Sequence, residues 1–102
     1  MGTEKEFINL GEIVVTIDVA VKMSMNPDYG AWVMDCLKRY ISCDWGDVPE
    51  VVKPANDKAA LRQQGFPGRV VAKYDHKEGD IIIVTDITGT ETTILFWKEF
   101  SD

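Results

Sequence analysis

Ser42-Cys43-Asp44-Trp45-Gly46-Asp47-Val48-Pro49-Glu50 divides the chain. Ahead of it, apolar residues recur with the period of a helix; behind it, with the period of strands. Tyr29, Trp32, Val33, Cys36, Leu37, Tyr40 and Ile41 fall at the 3-4 spacing of one buried helical face. Asn26 suits the N-cap, Pro27 the first helical position, and Asp28 the positive end of the helix dipole. Lys38 and Arg39 stand near the C-terminal end, where cations are favoured, and Asp35 is spaced for an i,i+3 pair with Lys38. Within the dividing stretch, Gly46 supplies the left-handed conformation that ends a helix or makes a tight turn. Asp47 and Glu50 have the spacing of a capping box. Trp45 is expected to cover the junction between helices and sheet.

Upstream, residues 1–10 are expected to form a polar, flexible arm, and residues 11–102 a single domain. The β-branched run Ile13-Val14-Val15-Thr16 predicts a short strand. Asp18 is placed to cap a helix through about Met25, with Val19 and Met23 on one face. Downstream, Pro54 is unsuited to a helix interior, so a turn is expected to Lys53 and a helix from Pro54 to Gln64, with Gly65 and Pro67-Gly68 as the stop. Three strands follow: 69–74, 80–85 and 92–97. Short turns at 76–79 and 88–90 join them into an antiparallel meander. Asp80-Ile81-Ile82-Ile83-Val84-Thr85 is apolar on both faces, which predicts a central strand.

The 102 residues suffice for one modest core. Net charge is −6, and it is uneven. Residues 1–51 hold nine acids and four bases; residues 52–102 hold eight and seven. Such a surface repels phosphates, which argues against direct nucleic-acid binding and favours a basic protein partner. Solubility alone is the plainer reading of the same charge. Met1–Leu10 lacks the apolar core of a signal peptide, and no stretch approaches the roughly 20 apolar residues of a membrane span. A cytoplasmic location and reduced Cys36 and Cys43 are therefore expected.

The order of these segments, with Asp44-Trp45-Gly46-Asp47, Asn56 and the Thr92-Thr93-Ile94-Leu95-Phe96 ending, resembles a family of small, uncharacterised bacterial proteins. These are carried on plasmids, conjugative elements and prophages, and some bear a restriction-enzyme-subunit label. The likeness runs from about Gly11 to the end. The chain departs from it at Pro54, where relatives usually have a helix-compatible residue, and at Trp97, where they often have Pro. The family has no catalytic assignment, so the resemblance implies no catalytic residues; it implies the company of mobile elements that face host defence.

Candidate chemistry is sparse. His76, the one histidine, lies in a predicted turn, and a Cys–His pair would need Cys36 or Cys43 brought to it. Cys36 sits on the buried helical face, and Cys43 is the more accessible thiol. Two cysteines and one histidine without CxxC or HxxxH spacing make no zinc site. Asp44 and Asp47 have the types needed for paired carboxylates or a hard cation, although capping and turning account for them as well. Gly65-Phe66-Pro67-Gly68 lacks the lysine of a phosphate loop. Asn56 is expected to tie the Trp turn's backbone or to face a partner.

The expected fold is α+β, an antiparallel meander sheet of three to four strands packed against two or three helices. Its expected core is Tyr29, Trp32, Val33, Leu37, Val71, Ile82, Val84, Ile94 and Phe96. The expected function is non-enzymatic binding, without catalytic residues, metal or cofactor, as a stoichiometric inhibitor of a host defence effector of anti-CRISPR or antirestriction type. Asp28, Asp35, Asp44, Asp47 and Glu50 are the expected contacts to a host protein with a basic surface. Two alternatives stand beside it: a homo-oligomeric assembly module, and a small enzyme using Cys43 or Asp44/Asp47.

Overall fold

The computed structural model describes residues 10–60 and 69–101. Of the expected arm over residues 1–10, residues 1–9 lie outside them, as does the expected helix stop at Gly65 and Pro67-Gly68; Leu10 is not part of a free arm but packs against the core. The fold is α+β. Its elements are β1 (Glu12–Val15), α1 (Ile17–Met25), α2 (Pro27–Ile41), α3 (Val52–Ala60), β2 (Val70–Tyr74), β3 (Ile81–Thr85), β4 (Glu91–Phe96) and α4 (Trp97–Ser101).

One four-stranded sheet has the order β1-β4-β3-β2. The β2–β3–β4 meander is antiparallel, with Ile83 opposite Ala72 on one side and Ile94 on the other. β3 is central, as its two apolar faces predict. The sheet as a whole is not antiparallel: β1 runs parallel to β4, Val15 beside Ile94. Among the described residues three helices and two strands lie between them, so nothing obliges β1 to enter as a hairpin partner would.

α2 behaves as its spacing predicts. The Asn26 side chain accepts from Tyr29 N–H at 3.2 Å, Pro27 opens the helix, and Tyr29, Val33, Cys36, Leu37 and Tyr40 are buried. They meet Val70, Ala72, Tyr74, Ile81, Ile83, Ile94 and Phe96 on the facing side of the sheet. Val71 and Val84, expected in this core, point to the other face, and so does Ile82, although it is buried. Trp32 is half-buried at the margin of the core, where it stacks on His76. Lys73 carried the missing information: strand side chains alternate, so the face holding a lysine also holds Val71.

A line of hydroxyls crosses the core. The Tyr40 and Thr85 hydroxyls share a hydrogen bond of 2.6 Å and Thr85 and Thr92 one of 2.7 Å, with Leu10 C=O 2.7 Å from Thr92 and Val70 C=O 3.3 Å from Tyr40 as the acceptors at the two ends. Each buried hydroxyl thus has an acceptor, and α2 is tied through β3 and β4 to the start of β1.

Three boundaries differ from expectation. Thr16, not Asp18, is the N-cap of α1, and its hydroxyl donates to Glu99 without accepting a capping bond from the helix. α3 starts at Val52, which puts Pro54 in the first turn, where a missing N–H costs no helical bond. Trp97 leaves the strand and opens α4, because the Glu99 carboxylate reaches back to Phe96 N–H at 2.7 Å.

α2 ends through a Schellman arrangement: Cys43 N–H donates to Tyr40 C=O at 3.0 Å and Asp44 N–H to Arg39 C=O at 2.8 Å. Cys43, with φ 66°, takes the left-handed position that glycine usually fills. Gly46, expected to end a helix or make a tight turn, takes the left-handed conformation three residues further on, with φ 74°. A side chain in that conformation costs roughly 1–2 kcal/mol, so Cys43→Gly is expected to raise unfolding stability by about 1 kcal/mol, read as a higher urea midpoint at constant slope.

Candidate functional site

The Asp44–Asp47 stretch is the outer lining of a sheet edge. β2 is an edge strand, and its outward backbone groups find partners one after another. Asn56 Nδ2 donates to Val71 C=O at 2.7 Å, and Val71 N–H donates to Asn56 Oδ1 at 3.2 Å. Lys73 N–H donates to Trp45 C=O at 3.3 Å, and Asp47 N–H to Lys73 C=O at 2.7 Å. Asp75 N–H ends the series on the Asp47 carboxylate, 3.0 Å. Gly46 and Lys73 form a one-residue parallel bridge. An open edge is a template for unwanted pairing; here a turn and one amide side chain close it.

The side chains fix the turn. Trp45 is buried edge-on against Tyr40 and donates its indole N–H to Asp57 of α3 at 2.8 Å. Tyr74 donates its hydroxyl to Asp44 C=O at 2.6 Å. Asp44 accepts from Arg39 Nε at 2.8 Å and Nη2 at 3.3 Å, and from Gly46 N–H at 3.1 Å. The Arg39 hydrogen bond, chiefly, holds the Asp44 carboxyl below the usual carboxylate range. Arg39 also lies over the Tyr74 ring.

These contacts redistribute the expected site residues. Asp44 is ion-paired and Asp47 caps a strand end, so the two are not a carboxylate pair. Asp47 and Glu50 form no capping box either: Glu50 pairs with Lys53 at 3.0 Å. Asn56 ties β2 rather than the turn. Asp28 and Asp35 remain, both exposed and seven residues apart on the outward side of α2. Among the described residues neither has a cationic partner, and the expected Asp35–Lys38 pair is not formed. Round the helix toward α1 lie exposed Ala31 and Met34, the latter 47% accessible, beside a shallow apolar cleft of about 480 Å³ between α1 and α2.

The groups of an enzymatic reading stand apart. His76 stacks on Trp32 and Tyr29 near the start of α2, ring centroids 4.4 and 4.9 Å away. Cys43 closes the other end of that helix, about 15 Å along it at 1.5 Å per residue. His76 Nδ1 accepts from Glu78 N–H, which leaves Nε2 as the protonated nitrogen of the neutral ring. Burial pushes the Cys36 thiol up to about 12, the opposite of an activated nucleophile. Among the described residues no three potential metal ligands cluster, and no helix is long and apolar enough to cross a membrane.

Sequence reasoning missed a second surface. Ile17, Val21 and Met25 form an exposed row on α1 beside a groove of about 750 Å³ that reaches Phe96 and Trp97. The i, i+4, i+8 spacing was visible; it was hidden by Val19 and Met23, which use the other side of the same short helix. Compared with family models, curated proteins and solved structures, the chain matches none.

Proposed function

We propose that this chain is a non-enzymatic binding protein of a phage or other mobile element, acting by stoichiometric contact with a basic host protein such as a defence effector. The outward face of α2 supports the reading: exposed Ala31 and Met34 lie beside Asp28 and Asp35, and neither carboxylate has a cationic partner among the described residues. An apolar strip beside two carboxylates suits a partner with an apolar residue next to Lys or Arg, where charge steers encounter and the apolar contact supplies affinity. Asp44, Asp47 and Glu50 contribute less, being held by Arg39, Asp75 N–H and Lys53. The mobile-element setting rests on the resemblance in the Asp44–Asp47, Asn56 and Thr92–Phe96 segments.

The test is titration of purified RNA-guided and restriction nucleases with this chain while DNA cleavage is followed. Inhibition should saturate near one equivalent and weaken with salt. A double Asp28→Lys/Asp35→Lys variant, altered only at exposed positions, should lose at least about tenfold in potency, the equivalent of 1.4 kcal/mol. Unimpaired cleavage by both nuclease classes at a large excess of protein would count against this reading.

A further inference from the structure

We infer that two copies of this chain associate about a two-fold axis, the α1 ridge of each seated in the α1–α4 groove of the other. The ridge is Ile17, Val21 and Met25; its ends are 79% and 78% exposed, far more than isolated surface apolar residues need be. The groove beside it is floored by Phe96 and walled by Trp97, with Val21 and Met25 on the opposite wall. Ridge and groove therefore share α1 and lie side by side. A two-fold interface demands a patch complementary to itself, and a protrusion next to a matching recess is such a patch.

The charges choose the occupant. Glu78 already holds Lys22 at 3.2 Å at one end of the groove. Asp18 on α1 and Lys98 on α4 also line it, and among the described residues neither has a partner of opposite charge. A uniformly basic partner would set a cation against Lys98, and a uniformly acidic one an anion against Asp18. A second copy presents one of each, so a two-fold axis can pair Asp18 with the other copy's Lys98 twice over. Exposed ion pairs contribute little each; they set the register, while the apolar ridge supplies the affinity. This surface is separate from the α2 face, and the dimer can form whether or not the proposed host partner exists.

Sedimentation and light scattering on the full chain across a dilution series test it. The expected mass is twice 11.5 kDa at high concentration, dissociating on dilution. Met25→Asp, at an exposed position, should give monomer with an unchanged far-ultraviolet circular dichroism spectrum. Asp18→Lys and Lys98→Asp should each weaken the dimer by about tenfold, two affected contacts contributing together. The Asp18→Lys/Lys98→Asp double variant should recover most of that loss. Three results would each overturn the inference: monomer at every concentration, a dimer indifferent to Met25→Asp, or a double variant weaker than either single one.

Discussion

Gly46→Ala should destabilise the chain by about 3–5 kcal/mol, although it adds one methyl group at the surface. Two effects combine. Gly46 has φ 74°, a conformation that costs an L-residue roughly 1–2 kcal/mol. The larger effect is contact. A Cβ there would lie 2.2 Å from Lys73 C=O and 2.6 Å from the Tyr74 ring. The carbonyl is backbone in a paired strand and cannot step aside as a flexible side chain would. Relief requires the turn to lift from β2, which breaks Asp47 N–H to Lys73 C=O and Lys73 N–H to Trp45 C=O and leaves part-buried groups unpaired at about 1–3 kcal/mol each. Asn tolerates positive φ but carries the same Cβ. Gly46→Asn should therefore recover only the smaller, conformational share. Urea denaturation of the two variants, with amide exchange at Lys73, distinguishes the causes. A Gly46→Ala protein within 1 kcal/mol of wild type, or one that keeps Lys73 protected, would show that the bridge does not hold the turn.

The same bridge explains what could and could not be taken from the sequence. α2 was legible because everything that defines it is local: the Asn26-Pro27 start and the 3-4 apolar spacing. The β2–β3–β4 meander was legible because short turns leave consecutive strands few other ways to pair. The side of β3 facing the helices was not, because four successive apolar residues, Ile81–Val84, erase the alternation that reports it. β1's parallel placement depends on contacts some 80 residues distant, beyond any local pattern. Asp44 had no visible purpose because its partner, Arg39, belongs to the preceding helix and meets it only once Cys43 turns the chain back. The unusual cluster of Asp, Trp and Gly was correctly singled out, but its chemistry is that of a strand edge. Asp28 and Asp35 were visible as acids; that they alone among the five predicted acids are neither ion-paired nor capping a strand could only come from three dimensions.

Asn56→Leu should cost about 2–4 kcal/mol, and the way it fails is specific. Asn56 is 3% exposed, and its amide presents one acceptor and one donor to Val71 with the polarity of a neighbouring strand. Leucine keeps the volume and removes both bonds, leaving Val71 N–H and C=O facing an apolar side chain. Because those groups lie on the edge of β2, the variant should also self-associate as it is warmed. Asn56→Asp separates hydrogen bonding from packing. Its carboxylate can still accept from Val71 N–H but opposes Val71 C=O, whereas the protonated acid can donate to that carbonyl and restore both bonds. Folding therefore favours the protonated form and raises this carboxyl's pKa above the unfolded value of about 3.9. A folded-state pKa that is raised makes the contribution complete below the unfolded pKa and lost as pH rises through the folded one. Relative to wild type at each pH, Asn56→Asp should thus be weakest at neutral pH and close the gap as pH falls toward 4, while the Asn56→Leu deficit stays constant. Urea midpoints for the three proteins from pH 4 to 7 decide it. A pH-independent Asn56→Asp deficit would mean that Asn56 acts on the β2 edge through shape and not through its paired hydrogen bonds.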